Sequence, residues 1–449
     1  MNKKLAWAPF LVIIGVMILG LLHPSLPAPP TKEVLEKLSK INTGDTAWML
    51  TAAAFVLIMT PGLALFYGGM VSSKHIISTM MQSFISMAVI SLLWIVIGFS
   101  LSFGDSIGGF IGDPRTFFMF KGVLDGAPWS LAPTIPLALF AFFQLKFAII
   151  TPALITGAFA ERIKFTSYIL FICLFSIFIY APLAHWSWHP DGFLFKRGVL
   201  DFAGGTVVHM SAGWAALASV IFLKGRLKNG SHSEPANVPY VILGTGLLWF
   251  GWFGFNAGSA LGAGNLAATA LATTNTAAAS AALAWIFFDS IKGKKPSALG
   301  VCIGAVVGLV AITPAAGFVT VPHSIAIGVI SSLISNIIVD WRSKTKLDDT
   351  LDVFPCHGVG GMAGMVLTGV FAHQSINAAN TTGNGLFWGE TYLFYQHLLA
   401  LVLVSLYAFI GSMLLLKITD MISPLRVSPE EEHMGLDKSQ HGETYLNRF

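Results

Sequence analysis

Residues 201–223, "DFAGGTVVHMSAGWAALASVIFL", decide how the rest of the chain is read. From Phe202 to Leu223 almost every residue is small or apolar. A run of this length suits a helix crossing a bilayer, which needs about 20 such residues. Yet His209 stands inside it, at a depth where ionisable side chains are costly and are functional candidates by default.

Composition agrees with a bilayer setting. Of 449 residues, 55% are hydrophobic and only 11% charged, against about 25% charged in soluble domains. The chain therefore reads as an all-α integral membrane protein. Its net charge of +4 is dispersed, with no basic stripe interleaved with aromatics, which argues against nucleic acid as a partner. Cys173, Cys302 and Cys356 all fall in apolar stretches without a CxxC spacing, so they read as packing residues and no disulfide framework or metal site is expected.

Eleven apolar segments follow residue 44: 47–69, 77–103, 134–157, 166–184, 203–223, 239–258, 267–288, 298–312, 325–341, 356–372 and 394–416. They are continuous and lack the alternation of a barrel. Ahead of them, "MNKK" and an apolar run of 18 residues make 1–28 either a signal peptide or an N-terminal anchor helix. With residue 45 outside, the loops assigned to the cytoplasm carry 12 Lys and Arg, against 4 in the outer loops. That bias sets the orientation and makes 417–449 a cytoplasmic tail following a membrane domain of 45–416. The tail is polar and mixed in charge, a composition compatible with disorder.

An odd number of spans starting outside suggests a five-plus-five inverted repeat and one C-terminal helix. His209 opens "HMSAGWA" and His357 opens "HGVGGMA"; both read H-x-x-x-G-x-A. Matched positions in two halves are expected where a functional site lies at a repeat interface. The two rings are therefore expected to line one polar path, the alternative being that each separately bonds a neighbouring helix. His357 falls at the start of its drawn segment, so that helix is expected to begin earlier, within "DDTLDVFP".

A histidine pair can relay protons or bind a small hydrogen-bonding solute. No acidic pair for ion antiport lies in mid-span, and no TVGYG-type filter is present. Candidate aromatic partners are Phe143 and Phe147, then Trp249, Trp252, Phe253 and Phe255, then Trp186 and Trp188. Their faces attract cations; at span ends such residues also form ordinary interfacial belts, the preferred reading for Trp186. "PGLALFYGG" (61–69) is expected to break the first span and to pack it closely.

At these residues the chain resembles the Amt branch of the Amt/MEP/Rh ammonium transporter family. The motifs, in order, are "PGLALFYGG", "ITPALITGAFAERIKF", "DFAGGTVVH", "GWFGFNAGS", "DDTLDVFPCHGVGG" and "GLDKSQHGETY". The resemblance implies a homotrimer in the cell (inner or plasma) membrane, with one ammonium pore per subunit, no cofactor and no enzymatic activity. It implies an outer site of Trp188, Phe147 and Ser259 held by Asp201, a gate of Phe147 and Phe255, and a relay of His209 and His357. Asp201 has a second reading, as the cap of its helix. The resemblance also implies that the tail docks beneath the pores, where a PII-type signal protein would bind.

Lys146 departs from this pattern. It precedes Phe147 in mid-span, about 80° around the helix from the mean direction of Phe143 and Phe147. It is expected either to face a neighbouring helix or subunit, meeting an acidic or carbonyl partner, or to enter the path and oppose cations. The second possibility keeps an ammonium sensor with poor conduction beside the transporter. A metal-dependent membrane enzyme is disfavoured, because neither histidine has a third ligand at helical spacing.

Overall fold

The computed structural model describes residues 8–24, 29–227 and 234–445. Helix α1 (Ala8–Leu22) and the short α2 (Lys32–Leu38) lead into α3 (Thr43–Met70) and α4 (Ile76–Phe103). There follow α5 (Leu137–Phe159), α6 (Phe165–Lys196, helical to Trp188 with a turn before its last residues), α7 (Gly205–Leu223) and α8 (Val238–Ala257). The rest are α9 (Asn265–Ile291), α10 (Ala298–Ile312), α11 (Val321–Ser343), α12 (Phe354–Phe371) and α13 (Tyr392–Ile422). Among the described residues ten helices are long and apolar enough to cross a membrane; α1 and α10 are shorter apolar helices. Among the described residues strand pairing is confined to one antiparallel ribbon, Ser106–Ile107 against Ile111–Gly112, and an isolated antiparallel bridge between Ile163 and Arg426.

Several boundaries differ from those drawn by hydropathy. Helix α6 continues past 184 to carry Trp186 and Trp188, and α13 runs on to Ile422, so the tail begins at Ser423. Helix α12 begins at Phe354, inside "DDTLDVFP" as expected. The expected break at Pro61 is overturned, because α3 passes through that proline without interruption. A helix in lipid tolerates proline where neighbouring helices support it, and here α8 packs closely against α3. A Cβ on Gly62 would lie 2.9 Å from Leu247 Cβ, and one on Gly244 would meet Phe66 N at 2.4 Å. Only residues without side chains let these two backbones approach so closely, which is how helices associate when lipid removes the hydrophobic drive between them.

Residues 1–7 and 25–28 of the predicted leader lie outside the described residues; its apolar part is helical over Ala8–Leu22.

At one end of the bundle, here the tail end, charge is buried and paired. Arg162 is fully buried, and its guanidinium donates to Ala158 O, Asp348 O and Thr350 Oγ1 at 3.0, 2.6 and 2.7 Å. Arg226 bridges Glu161 and Asp348, each at 2.8 Å. Buried charge is tolerable only when paired and hydrogen-bonded in this way.

Over its described residues, 423–445, the tail is held by its own cap and by bonds to the bundle. Ser428 and Glu431 form a capping box, Arg426 pairs with Glu432 at 2.9 Å, and Glu432 accepts Leu227 N–H at 2.6 Å. Asp437 accepts Ser78 N–H at 2.8 Å, so a tail carboxylate caps α4, whose own N-cap residue His75 makes no side-chain cap bond. Leu436 N–H donates to His75 Nδ1 at 3.2 Å, and Lys74 Nζ donates to His433 O at 2.7 Å.

His75 must be neutral at Nδ1 to accept that bond. Burial holds it down to about 4, with Glu161 and Glu432 opposing, and Lys74 and Arg226 adding to, the effect. Its folded value lies below its free value, so docking is intact above about pH 6.5 and weakens as pH falls towards about 4. Amide hydrogen exchange at Leu436 and Asp437 should therefore accelerate across that window, and His75→Gln should flatten the dependence.

Candidate functional site

Helix α7 starts inside the protein, so its first N–H groups need partners. Asp201 supplies them. Its Oδ1 accepts Gly204 N–H at 2.8 Å and Gly205 N–H at 2.6 Å; its Oδ2 accepts Thr206 N–H at 2.8 Å and the Thr206 hydroxyl. The chain turns into the helix at Gly204 with φ +121°, a conformation L side chains rarely adopt. The Asp201 carbonyl accepts Trp188 Nε1–H at 3.0 Å, tying the cap to an aromatic at the end of helical α6.

From Trp188 the rings run in series. Phe147 lies edge-on to Trp188 with centroids 5.8 Å apart, and 4.2 Å from Phe255 at an interplanar angle of 37°. Phe143 meets Phe147 edge-on at 5.0 Å. Ser259 donates its hydroxyl to Phe255 O at 2.8 Å, which leaves the Ser259 oxygen lone pairs as acceptors.

Below Phe255 lie the histidines. His209 stacks on Phe255 and Trp252 at 6.0 and 5.4 Å, and Trp252 is held by its Nε1–H bond to Thr313 Oγ1 at 2.9 Å. The rings of His209 and His357 lie 5.4 Å apart and 23° from parallel, with Nδ1 facing Nδ1 at 3.3 Å. One of those nitrogens donates and the other accepts, so the two tautomers are set together. Both rings line a cavity of about 10 Å³, close to the room one water-sized molecule needs. The rest of the wall, including Met59, Leu63, Leu154, Leu248 and Val306, is almost wholly apolar.

The repeated H-x-x-x-G motif explains how the rings meet. Both histidines sit in π-helical turns, Gly205–Met210 and Phe354–Val359, a distortion often found at functional sites. A Cβ on Gly213 would lie 2.2 Å from Gly358, and one on Gly361 would lie 3.1 Å from His209 Cβ. Each motif glycine thus opens room for the opposite histidine segment. The reading in which each histidine separately bonds a neighbouring helix is not what the geometry places here.

Lys146 is half-buried on the outward side of α5. Its Nζ lies 5.6 Å from the centroid of Phe142, itself 39% exposed. It is absent from the cavity wall, and no acidic or carbonyl partner is found for it among the described residues. Neither expected surrounding is found: Lys146 is not in this cavity wall, and the ring it meets belongs to its own helix rather than to an acid or carbonyl on a neighbour. Trp186 donates Nε1–H to Phe110 O and packs on Tyr407, and neither Trp249 nor Phe253 lines the cavity.

Asp349 was not among the expected residues. It precedes His357 by eight positions, as Asp201 precedes His209, and accepts Val353 N–H at 3.0 Å and Phe354 N–H at 2.8 Å. The equal spacing was the available signal.

Against known proteins, the model for the Ammonium Transporter Family matches residues 47–446. The chain belongs to that family. It is 48% identical over 411 residues to an ammonium transporter of Aquifex aeolicus, covering 91% of this chain and 95% of that one. The solved Mep2 of Saccharomyces cerevisiae superposes with a TM-score of 0.82 at 35% identity, covering 88% and 89% of the two chains. A solved "Sensor Amt Protein" superposes at 0.81 with 32% identity, covering 89% and 98%. This is a family of membrane transporters, which points away from an enzyme.

The cap should be measurable. Asp201→Ala removes all the carboxylate acceptors at the start of α7 and should cost about 1–2 kcal/mol, seen as a melting temperature several degrees lower in detergent. Asp201→Asn keeps one acceptor oxygen and should fall between that variant and wild type.

Proposed function

We propose that this chain carries ammonium across the cell membrane as one subunit of a homotrimer, each subunit with its own pore. The observation that carries the reading is the buried His209–His357 pair, closed in an apolar cavity directly beneath Phe147 and Phe255. Membership of the Ammonium Transporter Family supports the substrate.

On this reading Trp188 and Phe147 offer ring faces to the cation, and Ser259 offers an acceptor oxygen in place of water. The Asp201 carboxylate favours positive charge there while its oxygens hold α7. The paired rings of Phe147 and Phe255 close the path below. An intact cation pays heavily to enter an apolar cavity, whereas ammonium can leave its proton behind and enter as neutral ammonia. Potassium has no such option. The shared proton between the histidine Nδ1 atoms gives the released proton a place to pass.

The membrane arrangement follows the same reading. Helix α10, at 15 residues about 22 Å long, serves as an eleventh span beside the ten long ones. The matched histidine segments and their aspartate caps support an inverted repeat of five and five with α13 added. The excess of basic residues places the tail end in the cytoplasm and the Trp188 end outside. Residues 1–28 are a signal peptide or an anchor. The docked tail offers a PII-type signal protein a defined surface at the cytoplasmic face.

A second reading, an ammonium sensor that conducts poorly, is favoured by the likeness to the solved sensor protein. Against it, Lys146 lies beside Phe142 and is absent from the wall of the histidine cavity.

An ammonium pulse applied to proteoliposomes should evoke a current that a potassium pulse does not. Lys146→Ser should leave that current within about twofold, since the side chain lies outside the cavity. His209→Ala should abolish it while labelled methylammonium still binds. Saturable binding without current or tracer uptake in the wild type would favour the sensor.

A further inference from the structure

We propose, resting on the reading of Ser259 as part of the outer ammonium site, that Asp45 is a positioning residue for that site. Its carboxylate holds the turn that carries Ser259.

Asp45 stands in the first turn of α3, whose cap Asn42 accepts Asp45 N–H at 3.0 Å. A carboxylate at this place is favoured by the helix dipole. The backbone N–H of Asn42 donates to Thr134 O at 2.8 Å, just ahead of α5. The start of α3 is thereby tied to the segment that leads into Phe143 and Phe147.

From there the carboxylate reaches across to the turn between α8 and α9, residues 258–264. Asp45 Oδ1 accepts Ala263 N–H at 2.7 Å. The turn's other backbone bonds stay local. Ser259 N–H donates to Asn256 O, Ala260 N–H to Ala257 O and Leu261 N–H to Gly258 O, at 3.0, 3.4 and 2.9 Å. Among the described residues, the bond to Asp45 is the one hydrogen bond that ties this turn to a helix it does not join.

The turn needs such a tie. Leu261 has φ +58°, a left-handed conformation that a residue with a side chain keeps only where its surroundings impose it. Gly262 lets the carboxylate come close, since a Cβ there would lie 3.2 Å from both Asp45 oxygens. At its other end the turn presses on the aromatic series: a Cβ on Gly258 would lie 2.9 Å from Phe143 Cε2. Ser259 is the next residue. A turn clamped at both ends gives the Ser259 oxygen one place relative to those rings, and a binding group is only as well placed as what supports it. Released at Ala263, the turn keeps Ser259 but loses its fixed position.

Two readouts on one set of variants test this. Hydrogen exchange at the Ala263 amide in nanodiscs reports the clamp, and labelled methylammonium uptake into proteoliposomes reports the site. Asp45→Ala should speed that exchange and raise KM about tenfold, the loss of a hydrogen bond to a charged acceptor, with the maximum rate held within about twofold. Asp45→Asn keeps an acceptor oxygen without the charge and should restore most of both. In Ser259→Ala protein, Asp45→Ala should add little to KM, because the residue it positions is already gone. Faster exchange with an unchanged KM would overturn the proposal. So would Asp45→Asn matching Asp45→Ala in KM, which would make charge the cause, or an undiminished effect of Asp45→Ala in Ser259→Ala protein. A wild type that neither binds nor takes up methylammonium would sink the ammonium-site reading itself, and exchange at Ala263 would still report separately whether Asp45 clamps the turn.

Discussion

Two carboxylates capping two interrupted helices are the constraint on which the interior depends. A helix that begins inside a membrane protein exposes N–H groups that lipid cannot satisfy. Asp201 and Asp349 satisfy them for the two helices that carry the histidines, each from eight residues upstream. Remove either cap and the π-helical turn that aims its imidazole loses its anchor. The same Asp201 is tied through its carbonyl to Trp188, so the aromatic series and the histidine pair share one fixed point.

Much of the membrane fold was legible because its signals are long. Continuous apolar runs gave the spans, and even the short 298–312 segment is a helix with those bounds. The histidine pair was legible from a repeated motif whose glycines turn out to be contact points between the two segments. The helical wheel put Lys146 about 80° from its phenylalanine neighbours and left both surroundings open; the ring it meets lies on its own helix, a detail that only the rotamer decides.

What was not legible depended on distant partners. The tail's composition is compatible with disorder, yet its bonds run to residues about 360 positions earlier, such as His75 and Ser78. Pro61 reads locally as a helix breaker, and the support that overrides it comes from α8. Hydropathy placed the end of α6 too early because Trp186, Ser187 and Trp188 score as an interface, whereas Trp188 is needed inside the helix to reach Asp201. Asp349 was hidden beside Asp348, an acidic neighbour engaged in a different bond, to Arg226.

The backbone contact between Gly213 and Gly358 has a mechanical consequence. Two helices already touching main chain to main chain cannot close further, and their caps, Asp201 towards the Trp188 end and Asp349 beside Asp348 at the tail end, resist their parting. The bore at the histidines is therefore a rigid collar. If the proposed path runs here, any change of its aperture falls to rotation about the side-chain bonds of Phe147 and Phe255, which needs no helix to move, and the path would behave as a fixed barrel with a hinged shutter.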